Sequence, residues 1–552
     1  MRSKLTVLLT TFVLPLIALI LLWSNLLPHV IQAATLDVCP SGCPYTTIQA
    51  ALAAAANGDT ISIGNGTYNE NITINKSVTL VGTSPASTII DGNNLATVIT
   101  VTVNTSVTLR NLQITNGNAL GGGGIINDGR LSLDNVDIVN NQAEFGGGIE
   151  NTGHLTIQNS RIMTNTALTS GGDGGGIDST SMAFVTITNS LIQNNRATFG
   201  GGIFIDDTNL TISNTTIQNN FASAQGGGIY SLQSTSTIQN STITGNQITG
   251  NGDGGGIYVD DSQVSIYETT ISANNATLGG GILLDTGTLT VSKTTFSQNI
   301  GQNGAALFNN ATTIIENSTF SSNQASGNGT IYNGKTLTIT NGRFTQNNAT
   351  NGGGIYNFLG QATIRNSTLD GNLANNGGAI ANLDTVTLIN STLSGNIVTN
   401  SGSAISNTAS VIMNNTTIIS NTGVSLYLVS SATLTTSNSI IANTISGNNC
   451  GGNGTLLSIG HNLASDTSCN LTASGDLNNI DPQLLTLQNN GGDTPTHAPL
   501  LSSPVIDTGD PATCASTDQR GISRPVGAVC DIGAYETTAQ RLYLPVILKP
   551  AP

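Results

Sequence analysis

The chain has 552 residues and a formal net charge of −15, with only 8% of its residues charged and 4% aromatic. The acidic balance and the lack of any Lys/Arg cluster argue against nucleic acid as a partner, because phosphate binding needs a basic face. Sparse charge, 65 glycines and a regular supply of Ile, Leu and Val argue against a disordered chain and favour one elongated repeat array over separate globular domains.

The chain opens with Arg2 and Lys4, an uncharged apolar run from Leu5 to Leu27, and small residues at Ala33 and Ala34. This pattern predicts a signal peptide over residues 1–34, cleaved near Ala33 or Ala34. An uncleaved anchor is the alternative, since the run is long enough to span a bilayer. Either way the remainder lies outside the cytoplasm, and the mature chain is expected to have no membrane span.

Residues 35–110 read as a cap and the first coils of a solenoid. An Ala-rich helix is expected from Thr47 to Ala56, closed by Asn57 and Gly58 and followed by three short strands. The open end of a solenoid exposes apolar side chains and strand edges, so a capping helix belongs there. This stretch, with its GTYxE turn at Gly66 to Glu70, resembles the N-terminal cap of the pectin lyase-like superfamily. That superfamily contains polysaccharide lyases and hydrolases, and also many surface proteins without enzymatic activity.

From residue 111 to 445 a unit of about 24 to 28 residues recurs, which is solenoid spacing. Its anchor is the apolar residue after a glycine run, as at Ile125, Ile149, Ile177, Ile203 and Ile229, onward to Ile405. Apolar positions alternate with Thr, Ser and Gln, a strand period. Gly, Thr, Ser, Asn and Ile are not the helix formers that a leucine-rich horseshoe needs. We therefore expect an all-β, single-stranded right-handed parallel β-helix, with three short strands and three turns in each coil.

Two columns of asparagine run through the units. One extends from Asn111 to Asn438, broken by Glu268 and Lys293, and the other from Asn141 to Asn421. Identical amides one coil apart both donate and accept, so both columns are expected to form ladders, whereas stacked like charges repel. Repeated Asn-x-Ser/Thr triplets then read as ladder and turn residues more simply than as glycosylation sites. The repeats also resemble those of the polymorphic outer membrane proteins, with GGGI and GGAI paired to FSQN, FSSN and FTQN. The resemblance departs at the C-terminus, where too little chain follows for an autotransporter barrel.

Residues 446–536 are expected to supply the last coils and a C-terminal cap. The stretches DPQLLTLQNNGGDTPTHAPLLSSPVIDTGD and TDQRGISRPVGAVCDIGAYE, between Asp481 and Glu536, resemble the choice-of-anchor Q domain of bacterial surface β-helix proteins. Residues 537–552 form a tail with the apolar run Leu542 to Pro550, an expected export or attachment tag. All six cysteines lie outside the repeats, and Cys39 with Cys43, Cys450 with Cys469 and Cys514 with Cys530 are near neighbours suited to local loops in an oxidising compartment. Spacing alone leaves the connectivity open. No Cys/His pattern points to zinc, and His29, His154, His461 and His497 are scattered.

Chemistry on this fold needs carboxylates gathered on one face, often with Arg or Lys. The best concentration follows three residues after the anchor: Asp206, Asp260 and Asp285, interrupted by Leu232. These three are the candidate ligand-binding residues, for sugar hydroxyls or Ca²⁺, and solvated turn residues are the competing reading. Asp173 and Asp253 precede glycine runs and read as turn insertions. Asp518, Arg520, Arg524 and Asp531 read as an ion-pair network in the cap. Because Arg161, Arg196, Lys293 and Arg365 share no column with the aspartates, no catalytic residue, resident metal or cofactor is assigned. The sequence favours a monomeric, exported bacterial surface rod, structural or adhesive, that binds extracellular polysaccharide or cell-envelope components. A carbohydrate-active enzyme is the alternative.

Overall fold

The computed structural model describes residues 33–168 and 171–538. The expected signal peptide up to residue 32 and the tail from residue 539 lie outside them. The chain is an all-β, right-handed parallel β-helix. Each glycine run opens a strand of a 16-stranded sheet, and the anchors pair coil to coil, Ile125 with Ile149, Ile149 with Ile177 and Ile177 with Ile203. All four are fully buried. Glycine is needed there for two reasons. Gly200 turns at φ +59°, and a Cβ on Gly202 would stand 2.6 Å from the Gly228 carbonyl oxygen of the next coil.

Some coils keep the expected three strands, as Ile257–Asp260, Ser262–Tyr267 and Thr270–Ser272 do, and others, such as the coil from Ile149, have four. After the glycine-led strand Ile149–Asn151 come His154–Gln158, Arg161–Met163 and the short Thr166–Ala167. The middle two belong to one 34-stranded sheet. Between them stands Asn159 at φ 52°. One left-handed residue bends the chain without ending the sheet, so a single sheet wraps a corner.

That corner is the role of the first asparagine column. Asn189, Asn214, Asn240, Asn366, Asn390 and Asn415 all lie at φ between 48° and 51°, a region that asparagine tolerates better than most residues. Ladder bonds occur only here and there in this column, as from Asn135 Nδ2 to Asn111 Oδ1 at 2.8 Å. The ladder expected of the whole column is thus a correction: backbone conformation selects these residues. Glu268 and Lys293 hold the same conformation at φ 47° and 48° and pair with each other at 3.3 Å.

The second column does form the ladder. Its asparagines, Asn141 to Asn421, are fully buried. Asn299 is representative: its Nδ2 donates to Asn323 Oδ1 at 3.0 Å and to the Ile271 carbonyl at 2.9 Å, and its Oδ1 accepts from Asn274 Nδ2 and the Asn274 amide, each at 3.1 Å. Every polar site of the amide is used. A third ladder, from Asn309 through Asn333, Asn357 and Asn382 to Asn407, has rungs of 2.7 to 2.8 Å. The sequence reading missed it, although its signal is plain: Asn two residues after the anchor. Hydroxyls that follow the corner asparagine, such as Ser190 Oγ accepting from the Ser160 amide at 3.2 Å, account for the Asn-Ser/Thr pairs.

The core is closed at both ends. The capping helix runs Ile48–Ala54 with Thr47 as N-cap and buries Ile48, Ala51 and Leu52. Glu70 of the GTYxE turn accepts from the Ile48 and Gln49 amides at 2.7 and 2.9 Å, placing a carboxylate at the helix N-terminus. At the far end, Cys450, Cys469 and Leu471 join the core. Cys39–Cys43, Cys450–Cys469 and Cys514–Cys530 are disulfides. Beyond the last coils, residues 481–536 do not continue along the axis. They turn back as a strap on the outer surface of the later coils, where Val505, Ile506 and Ile532 cover Ile440, Ala442 and Leu463.

The two columns predict different costs. Asn299→Ala strands several buried donors and acceptors and should cost about 3 kcal/mol or more, while Asn214→Gly, which keeps the positive φ at an exposed corner, should stay within about 0.5 kcal/mol. Denaturant midpoints for the two variants check this, and equal losses would refute separate roles.

Candidate functional site

The outer face of the glycine-led sheet carries the expected aspartates. Asp206 pairs with Leu232 and Leu232 with Asp260 along the register. Asp206 and Asp260 are therefore two coils apart, roughly 10 Å, too far to share one cation. Asp260 Oδ1 accepts from Thr286 Oγ1 at 2.7 Å, and Asp285 Oδ2 accepts from the Tyr258 hydroxyl at 3.4 Å. Asp206 is different, for its Oδ1 is buried without a partner.

Asp206 belongs with residues that the sequence reading set aside or missed. One position after the anchor, Glu150 and Asp178 face outward and are register neighbours. Asp178 is 5% exposed, and its Oδ1 is also buried and unpartnered. Asp173, read from sequence as a turn insertion, lies close enough to raise Asp178 and to be raised by Asp206. Glu150 rests against Gly121, where a Cβ would collide with its Oε2. Continuing the same outward column, Phe204 stacks on Tyr230 at 5.1 Å and Tyr230 on Tyr258 at 4.9 Å. The rings face one another along the rod and are buried together with Phe199, Leu232 and Leu278 against them.

Burial pushes the Asp178 carboxyl up to about 8, aided by repulsion from Asp173, Glu150 and Asp206. Burial, then Asp206, raises Asp173 to about 6. Asp206 is raised by burial and by Asp207, and Glu150 by burial and by Asp128. Burial and the charges of Asp260, Asp173, Asp206 and Asp285 lift the Tyr230 hydroxyl to about 12. At neutral pH the cluster thus holds protonated Asp178 and Tyr230, both nearly buried, beside several carboxylates. Among the described residues no lysine or arginine pairs with it, and no three His, Cys, Asp or Glu side chains are gathered as a metal cage.

The remaining charged residues do structural work elsewhere. Arg161 pairs with Asp137 and Lys293 with Glu268, both away from the groove. Asp253 bridges Gln225 and Leu278 through its backbone and accepts from the Leu278 amide at 3.2 Å. In the strap, Asp518 holds Arg520 at 2.7 Å and Arg524 lies 3.4 Å from Glu536, an acidic partner the sequence reading did not include. Arg524 also donates to the Asp531 and Gly533 carbonyls.

The sequence model described as a right handed beta helix region matches residues 177–344. A metabotropic glutamate receptor-like protein R of Dictyostelium discoideum is 35% identical over 108 residues, which is 19% of this chain and 7% of that protein. The chain thus matches under a tenth of that relative's length. Among solved structures, the catalytic unit of an α-1,3-glucanase from Streptomyces thermodiastaticus is 17% identical, with 64% of this chain and 66% of that chain covered and a TM-score of 0.38. A pectin methylesterase from Erwinia chrysanthemi is 15% identical, covering 41% of this chain and 89% of its own, with a TM-score of 0.28. No helix among the described residues is long and apolar enough to cross a membrane.

The raised carboxyl of Asp178 has a consequence for stability. Unfolded, it titrates near 3.8, and folded, near 8, so the native state holds the extra proton between those values. Stability from this group is complete below the unfolded value and is lost as pH rises through about 8. Asp178→Asn should therefore flatten the decline in stability from pH 5 to pH 8 by about 2 kcal/mol or more. Denaturant titrations at both pH values check this, and parallel losses in the two proteins would refute the buried proton.

Proposed function

We propose that this protein is an exported surface rod that holds an uncharged glycan in the groove of Glu150, Asp173, Asp178, Asp206 and Tyr230. The carrying observation is the pair of buried, unpartnered oxygens on Asp178 and Asp206. A buried polar oxygen needs a partner, and sugar hydroxyls, which both donate and accept, supply one without adding charge. An anionic polymer would meet like charge there. Three disulfides support an extracellular setting, and the signal-peptide pattern supports export. A rigid, repetitive scaffold suits weak multivalent attachment, which is the adhesive role.

Hydrolysis is the second reading, favoured by one feature. Asp178, protonated near neutrality, stands in the same cluster as less buried carboxylates, the division of labour that general acid–base cleavage of a glycosidic bond uses.

The test exposes the protein to neutral and acidic polysaccharides, with and without calcium, and follows binding and polymer length together. We expect calcium-independent binding of a neutral polymer, weakened at least tenfold by Asp178→Asn with Asp206→Asn, and no shortening. Shortening abolished by Asp178→Asn would replace attachment with hydrolysis. Preference for acidic polymers, or binding indifferent to both substitutions, would overturn the groove.

A further inference from the structure

The strap shows what the corner of the long sheet recognises. Its segment from Asp510 to Gln519 runs along the rod axis, crossing one coil after another toward earlier coils. Asp510 lies on Asn438, Ala515 on Asn415 and Thr517 on Asn390, while Gln519 reaches Thr392 and Thr368. The rod holds much of this segment by its main chain. Asn438 Oδ1 accepts from the Asp510 amide at 2.7 Å, and Asn415 Oδ1 from the Ala515 amide at 3.0 Å. Asn390 Nδ2 donates to the Thr517 carbonyl at 2.7 Å, and Asn414 Nδ2 to the Thr513 carbonyl at 2.9 Å. Thr417, two residues past its corner asparagine, accepts from the Ala534 amide at 3.0 Å.

The same columns continue, uncovered, over earlier coils. Asn189, Asn214 and Asn240 hold φ values of 48°, 49° and 48°, matching the 48° of Asn390, Asn415 and Asn438. Their side chains are therefore presented from the same backbone conformation. Thr216 and Thr242 stand two residues past Asn214 and Asn240, in register with Thr270 past Glu268 and with Leu191 past Asn189, the column that carries Thr368, Thr392 and Thr417 under the strap. All three asparagines are exposed, and their side-chain amides bond to no other described residue. The Glu268–Lys293 ion pair ends this uncovered stretch before it reaches the strap.

We propose that the strip of Asn189, Asn214, Asn240, Thr216, Thr242 and Thr270 is a docking site for an extended, uncharged polypeptide segment of a partner protein, held by its backbone as the strap is held. Amides that donate and accept at a fixed pitch read peptide N–H and C=O groups and leave side-chain identity largely free. The interface is continuous in type with the one the strap already occupies, which argues for peptide over sugar.

The probe is a fluorescent synthetic peptide of residues 508–519 carrying Asp510→Asn, Cys514→Ser and Asp518→Asn, which make it uncharged, titrated into the full-length protein and followed by anisotropy. We expect saturable binding that weakens at least tenfold in the Asn189→Gly, Asn214→Gly, Asn240→Gly variant. Glycine keeps the positive φ, and an unchanged melting temperature confirms that the fold survives. Asn390→Gly should leave the affinity unaltered. No saturable binding, binding indifferent to the triple substitution, loss on Asn390→Gly through exchange with the strap, or displacement of the peptide by neutral oligosaccharides would each overturn the proposal.

Discussion

The buried asparagine ladder is the interaction on which the rest of this structure depends. A parallel β-helix places each residue about 4.8 Å from its counterpart in the next coil, so every side chain must tolerate a copy of itself. Aliphatic anchors do so by packing, phenyl rings by stacking as Phe296, Phe320 and Phe344 do at 4.7 and 4.5 Å, and amides by hydrogen bonding. A charged group cannot. The low charge of the chain is thus a consequence of its geometry, and so is the choice of asparagine where the chain turns inside the core.

The same constraint explains why exceptions to the repeat carry information. Glu268 and Lys293 interrupt the corner column together, as opposite charges, and neutralise each other. Glu150 and Asp178 are register neighbours of the same sign, the arrangement that stacking disfavours. Here the conflict is resolved by a proton: burial and neighbouring carboxylates keep Asp178 neutral well above the ordinary range. A carboxylic acid held protonated in this way is locally unfavourable, and an unfavourable residue retained on a charge-poor scaffold marks a place with work to do.

Much of the architecture was legible because its signals are local and repeated: glycine runs, alternating apolar residues and asparagine at fixed offsets. The corner column was misread as a ladder because sequence records which residue recurs, not which torsion angle it adopts. The division of the long sheet into two strands per coil was hidden for the same reason, since one left-handed residue parts them. Within the site, Asp206, Asp260 and Asp285 could be found by counting from the anchor. That Asp206 and Glu150 lie within electrostatic reach of Asp178 could not, because the offsets differ and only the pleat and the turn geometry bring them to one surface. Asp173, which looked like part of an insertion, joined them for that reason.

The strap completes the argument about self-copying. A surface made of identical rungs cannot by itself stop growing or choose one partner, because each coil offers the next what it was offered. The N-terminal helix and the loop closed by Cys450–Cys469 answer the problem at the two ends of the core. Residues 481–536 answer it on the side, by covering part of the exposed corner with hydrogen bonds that the corner makes to a peptide backbone. Apart from the Gln519 amide, most of that contact is to the docked main chain, so what distinguishes the covered coils from the uncovered ones is the ion pair at Glu268 and Lys293 and the reach of the strap. On this rod the repeat supplies rigidity, and the breaks in the repeat are what set one coil apart from the next.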